Sequence, residues 1–368
     1  KFSYAKDRFS SQYFPKITLT ILPPRDFSVE PEMKSREKRL DISNRLYDVM
    51  ADMMYRGARS NENIFVSILK ARDTHGWRNV VFEDATRKKM NYGSFVTKSY
   101  VLGRAFATAF PQEEKIGVML PNVLATPVVV FGLMSVDKIP VMLNFSSGPA
   151  QVSSCVKTTA LKTVLTSKKF VEMGHLEHLI AALEESGVNV VYLERFAKTI
   201  STADKLKGVL DSLSSRKPKN SPDGPAVILF TSGSEGLPKA VVLSHRNIHA
   251  NRNQYSAILA FDKKDVVFNA LPLFHSFGLC LGTIMPVVSG MKCFLYPTPL
   301  HYRVIPQLVY EIDATIMAGT DTFVANYAKA AHPYDFYRIK YVAVGGEKLK
   351  ESTSELWLHK FGVRLVEG

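Results

Sequence analysis

Short apolar runs alternate with amphipathic stretches along most of this chain, at 116–120, 139–143, 163–166, 188–193, 226–230, 266–270, 292–296, 315–318 and 341–344. Runs of this length, with few charges inside them, predict strands buried on both faces. The amphipathic segments between them predict helices, and the alternation as a whole predicts an α/β architecture of covered sheets. Ser244 stands where a helix over 245–259 would need its N-cap, and residues 351–360 predict a further short helix. The Ser-, Lys- and Pro-containing stretch 212–225 reads as a surface loop.

Residues 116–136 carry no charge, which raises the question of a membrane span. Pro121, Asn122 and Pro127 argue against one. A buried strand to 120, a turn, and a helix over 123–136 account for the segment, and that helix would be ~21 Å long at ~1.5 Å per residue, short of a ~30 Å hydrocarbon layer.

Composition adds limits. At 368 residues with 46% apolar content the chain can bury a large core and hold more than one structural unit. Its formal net charge of +13 favours anionic partners: ATP, an acidic protein, anionic lipid headgroups or nucleic acid. Nucleic acid is disfavoured, because no zinc-finger spacing and no alternation of bases with aromatics occurs. Lys34, Arg36, Lys38, Arg39 and Arg45 cluster with Glu37 and Asp41 interleaved, which suits either a solvated helix face or a membrane surface. Cys155, Cys280 and Cys293 are far apart in apolar stretches, as expected of buried thiols in a reducing compartment.

The densest chemistry lies in ILFTSGSEGLPKAVVLSHRN, residues 228–247. Gly233 and Gly236 let backbone N–H groups approach an anion, Thr231, Ser232 and Ser234 offer hydroxyls, Glu235 stands among them, and Lys239 adds a point charge. A polyphosphate suits this loop, and so does an ordinary polar hairpin. A Walker A loop does not fit, since Leu237 and Pro238 separate glycine from lysine and a strand-like run follows.

The order of residues 231–239 resembles the phosphate loop of the adenylate-forming superfamily, and two further segments agree: ALPLFHSFGL at 270–279 is similar to its P-x-F-H motif, and VAVGGEKL at 342–349 to its adenine-contact strand end. Ala240 and Glu235 depart from the usual glycine and threonine. TSGSEG, PLFHSFG, FLYPTPLHYRVIPQLVY, AHPYDFYRIKY and GGEKLKEST together resemble the bifunctional acyl-acyl-carrier-protein synthetase/2-acylglycerophosphoethanolamine acyltransferases over essentially the whole chain.

That resemblance implies an acyl-CoA-synthetase-like large domain with layered sheets and helices plus a distorted β-barrel over residues 61–368. It makes residues 1–60 the tail of an acyltransferase domain and its connector, with the chain stopping before a magnesium-binding motif and a small C-terminal domain. It further implies ATP with Mg²⁺ as cofactors, a fatty acid as substrate and acyl carrier protein as thiol acceptor. A lysophospholipid or anionic membrane surface would be met through an upstream domain at the cytoplasmic face of a bacterial inner membrane. His275 and Lys239 would act in catalysis. Thr231, Ser232, Gly233, Ser234, Glu235, Gly236, Lys239, Gly345, Gly346, Glu347 and Thr320 would hold the nucleotide, with Gly319 on the same wall, while Phe274, Phe277 and Leu279 would pack around the acyl chain. A lone histidine after an apolar run is otherwise a candidate for the core. No residue is implied as a metal ligand. The acyltransferase H-x-x-x-x-D centre is absent, because none of the 9 histidines has aspartate five positions on. A plain fatty-acyl-CoA ligase and a non-catalytic nucleotide- or lipid-binding module remain the alternatives.

Overall fold

The computed structural model describes residues 19, 21–28, 33–57, 61–232 and 238–368, with the side chain of Ser232 excepted. Gly233, Ser234, Glu235 and Gly236 lie outside the described residues.

The strands are β1 (Val80–Asp84), β2 (Lys89–Asn91), β3 (Lys115–Val118), β4 (Ile139–Met142), β5 (Thr163–Thr166), β6 (Asn189–Tyr192), β7 (Pro225–Ser232), β8 (Pro238–Ser244), β9 (Val266–Asn269), β10 (Lys292–Leu295), β11 (Ile316–Gly319), β12 (Tyr341–Val344) and β13 (Leu365–Glu367). They form a seven-stranded sheet in the order β13-β12-β11-β9-β10-β1-β2 and a six-stranded sheet in the order β6-β5-β3-β4-β7-β8. Pairing is parallel except at the two hairpins, β1 with β2 and β7 with β8. All nine expected runs are strands. The short strands β1, β2 and β13 were not expected; Lys89 and Asn91 flank the one apolar residue of β2, too little for a run to show. The barrel that the resemblance implies is not among the described strands, which make two open sheets.

Burial follows pattern. Every residue of β4 and β5 is buried, as parallel strands covered on both faces should be. The helix Ala125–Ser135 buries every residue but its first, and this explains the long uncharged run: a helix apolar all round belongs in a core. It lies so close to the helix Tyr92–Ala109 that a Cβ on Gly103 would collide with the carbonyl of Gly132. Among the described residues no helix is long and apolar enough to cross a membrane.

Ser244 caps the helix His245–Ile258 through a reciprocal bond with Asn247, and the helix Glu351–Phe361 also forms where expected. The expected loop at 212–225 begins later than predicted. Ser212 lies in the last turn of the helix Thr202–Ser214 and is buried, its carbonyl accepting from Arg72 Nη1 at 3.1 Å, so a tertiary bond holds a serine that local preference would release. The basic cluster lies on and just before the helix Ser35–Gly57, which buries none of its residues and touches the body through Tyr47 Oη, donating to the Ile258 carbonyl at 3.0 Å.

Candidate active site

The strands of the two sheets end around one cavity of about 770 Å³. Leu271 and Pro272 follow β9, Thr298 and Pro299 follow β10, Thr320 follows β11, Gly345 and Gly346 follow β12, and Gly368 follows β13. The six-stranded sheet contributes Asn144, Phe145 and Ser146, just past β4. Ligands of open parallel sheets bind at such carboxyl ends, where loops diverge and backbone groups are unpaired.

The loop after β9 is held by two buried amides. Asn269 Nδ2 donates to the Gly278 carbonyl at 2.9 Å and to Thr283 Oγ1 at 3.0 Å, while its Oδ1 accepts from the Leu271 N–H at 3.2 Å. Asn122 Nδ2 donates to the Leu271 carbonyl at 2.7 Å. These bonds turn the chain at 270–276 and launch the wide-turned π-helix Phe277–Ile284, a form that recurs at functional sites.

His275 sits at this turn and is exposed to the cavity, so it is not a core histidine. Its ring packs tilted on Phe274 with centroids 4.6 Å apart. The protein around it, rather than a neighbouring charge, lowers its pKa from the usual 6.5. The imidazole is therefore neutral near pH 7, able to donate from one nitrogen and accept at the other. Phe274 and Phe277 line the cavity, but Leu279, in the first turn of the π-helix, does not: it is 0% exposed and packs in the core, unlike the acyl-chain contact that the resemblance implies.

Across the cavity the backbone is bare. Gly345 is buried, and a Cβ there would lie 3.4 Å from the Phe277 ring and 3.3 Å from the Gly368 carbonyl; Gly346 has φ of +79°, which L side chains rarely adopt. Any side chain at 345 narrows the space, so glycine keeps room for a flat group against the main chain. Thr320 lines the same wall and caps the helix Asp321–Ala330, whereas Gly319 sits behind it against Val324. Glu347 turns away, its carboxylate accepting from the Thr322 N–H at 3.1 Å and hydroxyl at 2.8 Å.

Thr231 and Lys239 are exposed and face one another across the end of the β7–β8 hairpin, in register with Ser232 and Pro238. Neither is among the residues that wall the cavity. Val141 of β4 pairs with Ile228 of β7, and continuing that parallel register three residues brings Thr231 level with Asn144, at the cavity's edge. The hairpin carrying the glycine- and hydroxyl-rich loop thus rises beside the cavity.

Asn144, Phe145, Asn251, Tyr255 and Cys280 also wall the cavity, though no motif marks them. The first two could have been found as the residues just past an expected strand; Asn251, Tyr255 and Cys280 carry no such signal. Burial pushes the Cys280 thiol up to about 12 and the Cys155 thiol up to about 11, and raises that of Cys293 as well, so none is a nucleophile near neutrality.

This architecture, two parallel-rich sheets meeting at a cavity lined by bare glycine backbone, is that of the acyl-CoA ligase structures. A benzoate CoA ligase from Burkholderia xenovorans LB400 superposes with a TM-score of 0.70 over 83% of this chain and 60% of that one, at 21% identity. The sequence profile described as AMP-binding enzyme matches residues 70–368, and the chain belongs to that family. A long-chain-fatty-acid–CoA ligase of Escherichia coli O157:H7 is 26% identical over 340 residues, covering 78% of this chain and 59% of that protein. A medium-chain-fatty-acid–[acyl-carrier-protein] ligase of Teredinibacter turnerae is 24% identical over 274 residues, covering 64% of this chain and 41% of its own length. The chain thus spans less than two thirds of these relatives.

Proposed function

We propose that the whole protein activates a fatty acid with ATP and passes the acyl group to a phosphopantetheine thiol. The observation that carries this reading is the 770 Å³ cavity, which offers a bare main-chain wall at Gly345 and Gly346, with the Phe277 ring beside it, and an aromatic, apolar wall at Phe145 and Phe274. A flat polar base suits the first wall and a hydrocarbon chain the second.

In the first half-reaction the carboxylate attacks the α-phosphorus of ATP, forming acyl-AMP and releasing pyrophosphate. Charge on the phosphoryl oxygens is then the main demand, met by positioned donors rather than by a protein nucleophile. Thr231 and Lys239 flank the loop suited to that task, with Ser232 through Gly236 between them. Neutral His275, which lines the same cavity, would orient the carboxylate by a hydrogen bond. Adenylate-forming ligases use ATP with Mg²⁺. Among the described residues no group of three or more His, Cys, Asp or Glu assembles to hold a metal.

In the second half-reaction the thiol displaces AMP. We take acyl carrier protein as the acceptor, because the residue-level resemblance favours it and a chain of net charge +13 attracts an acidic carrier. Coenzyme A is the second reading, supported by the name of the Escherichia coli relative. Onward transfer to a lysophospholipid at an anionic membrane surface belongs to the same proposal, supported by the resemblance of residues 1–60 and by the basic cluster at 34–45, on and just before the helix Ser35–Gly57, which buries none of its residues.

The test is fatty-acid-dependent exchange of pyrophosphate into ATP by the whole protein, followed by thioester formation with each acceptor. Exchange that needs no fatty acid, or none with any acid, would refute the reading; thioester with coenzyme A alone would replace the first acceptor with the second.

A further inference from the structure

A second concavity lies on another face of the helix His245–Ile258, away from the cavity that Asn251 and Tyr255 enter. It holds about 390 Å³ between that helix, the helix Ile64–His75 and the helix Ser35–Gly57. Its polar lining includes Glu62, Ser67, Lys70, Thr74, Arg252 and Ser256, beside the apolar Ala71 and Val288. Lys70 is paired with Glu62 at 2.8 Å, and Ser67 Oγ also donates to that carboxylate at 3.3 Å. Arg252 has no such partner. Its Nη1 reaches only Asn253 Oδ1 at 3.3 Å, its buried Nε bonds to nothing, and no carboxylate among the described residues lies within ion-pair distance of it. His75 and His249 also face this region, and burial lowers the pKa of both, that of His249 to about 4, so both are neutral near pH 7. Among the described residues that line the pocket, Lys70 and Arg252 share the single carboxylate of Glu62, which leaves one positive charge in excess.

An unpaired guanidinium inside a pocket is costly unless an anion completes it, and its five donors in a planar fork match a carboxylate. The pocket does not end at polar residues. Met54, Ser256 and Ala257 are shared with an adjoining apolar groove of about 460 Å³, lined further by Leu46, Met50 and Ile258. Those groove residues are about half exposed: Leu46 49%, Met50 56%, Met54 53% and Ile258 56%. A single-charge head site thus opens into an uncovered hydrophobic channel.

We propose that this pocket and groove bind one long-chain fatty acid, its carboxylate on Arg252 and its chain along Leu46, Met50 and Met54. One uncompensated positive charge matches one carboxylate; a phosphate monoester brings nearly two charges and would leave the surplus buried beside Glu62. The continuity of head and tail sites selects an amphiphile over a simple anion. The site is distinct from the reaction cavity and does not depend on the activity proposed above.

Photo-crosslinking of the full chain with a fatty acid bearing a terminal diazirine, mapped by mass spectrometry, tests it. We expect saturable adducts at 46–54 or 256–260, separate from any at Phe274 or Phe277. Arg252→Gln should weaken the first set at least tenfold, and Met50→Glu, at an exposed position that tolerates charge, should do the same without touching the fold. Labelling at the reaction cavity should stay within twofold in both variants. Absence of saturable adducts along the groove, equal labelling by the matching fatty alcohol, or unchanged labelling in Met50→Glu would each overturn the proposal. Failure of the ATP-dependent reaction would leave these adducts in place, so the two readings fail separately.

Discussion

The rings of Phe145 and Phe274 meet edge to face, centroids 4.9 Å apart at 88°. Phe145 follows a strand of the six-stranded sheet and Phe274 a strand of the seven-stranded sheet, so this pair joins the two layers at the cavity wall. Phe274→Ala should cost about 3 kcal/mol, since the ring is 5% exposed and the space it leaves opens into a cavity that cannot collapse. Urea unfolding of the variant checks this; a change below about 1 kcal/mol would mean the pair does not hold the layers together.

Gly103→Ala should destabilise the protein by about 1–3 kcal/mol through overpacking, because the added methyl meets the Gly132 carbonyl and the Ser135 hydroxyl in a helix pair with no slack. Gly187→Ala provides the contrast: its φ is +76° with nothing within 4 Å, so only local backbone strain opposes it. Melting temperatures of the two variants should separate crowding from strain.

Stability should fall as pH drops from about 6.5 toward 4. Burial pushes the pKa of both His245 and His249 down to about 4, and each is almost fully enclosed. His245 Nδ1 also accepts from the Ile64 N–H at 3.2 Å, a bond that protonation would remove. The unfolded chain binds protons at these residues near pH 6.5 while the folded chain resists, so their contribution is fully present above 6.5 and is lost on the way to 4, on the order of 2–3 kcal/mol for each histidine. Urea midpoints at pH 7.5 and 5 should differ accordingly, and His245→Gln should flatten part of that slope.

The sequence displayed the sheets better than the site. Apolar runs such as Thr163–Thr166 announce themselves because parallel strands are buried on both faces, and Ser244 with Asn247 carries its helix start within four residues. Motifs marked His275, Gly345 and Gly346, all of which reach the cavity. Position within a motif does not fix facing, however: Glu347 caps a neighbouring helix and Leu279 enters the core. Asn251 and Tyr255 enter the cavity from a helix whose sequence, rich in Asn and Arg, gives no sign of which face points inward.

Removing a single contact should separate binding from chemistry. Lys239→Ala should weaken acyl-adenylate formation by roughly 2 to 4 kcal/mol, the scale of one lost transition-state contact. If His275 orients the carboxylate and not the nucleotide, as proposed, His275→Ala should lower kcat about 10²-fold with little change in the KM for ATP. Pyrophosphate exchange rates across ATP and fatty-acid concentrations give both numbers; equal rates in either variant would remove that residue from the reaction.

The most direct measurement is a crystal structure with a hydrolysis-resistant acyl-adenylate mimic. Its base should lie against the main chain at Gly345 and Gly346 and its acyl chain should run past His275 between Phe274 and Phe277 toward Tyr255. Density for the mimic elsewhere, or a cavity that stays vacant at saturating concentration, would contradict the assignment of this cavity to fatty-acid activation.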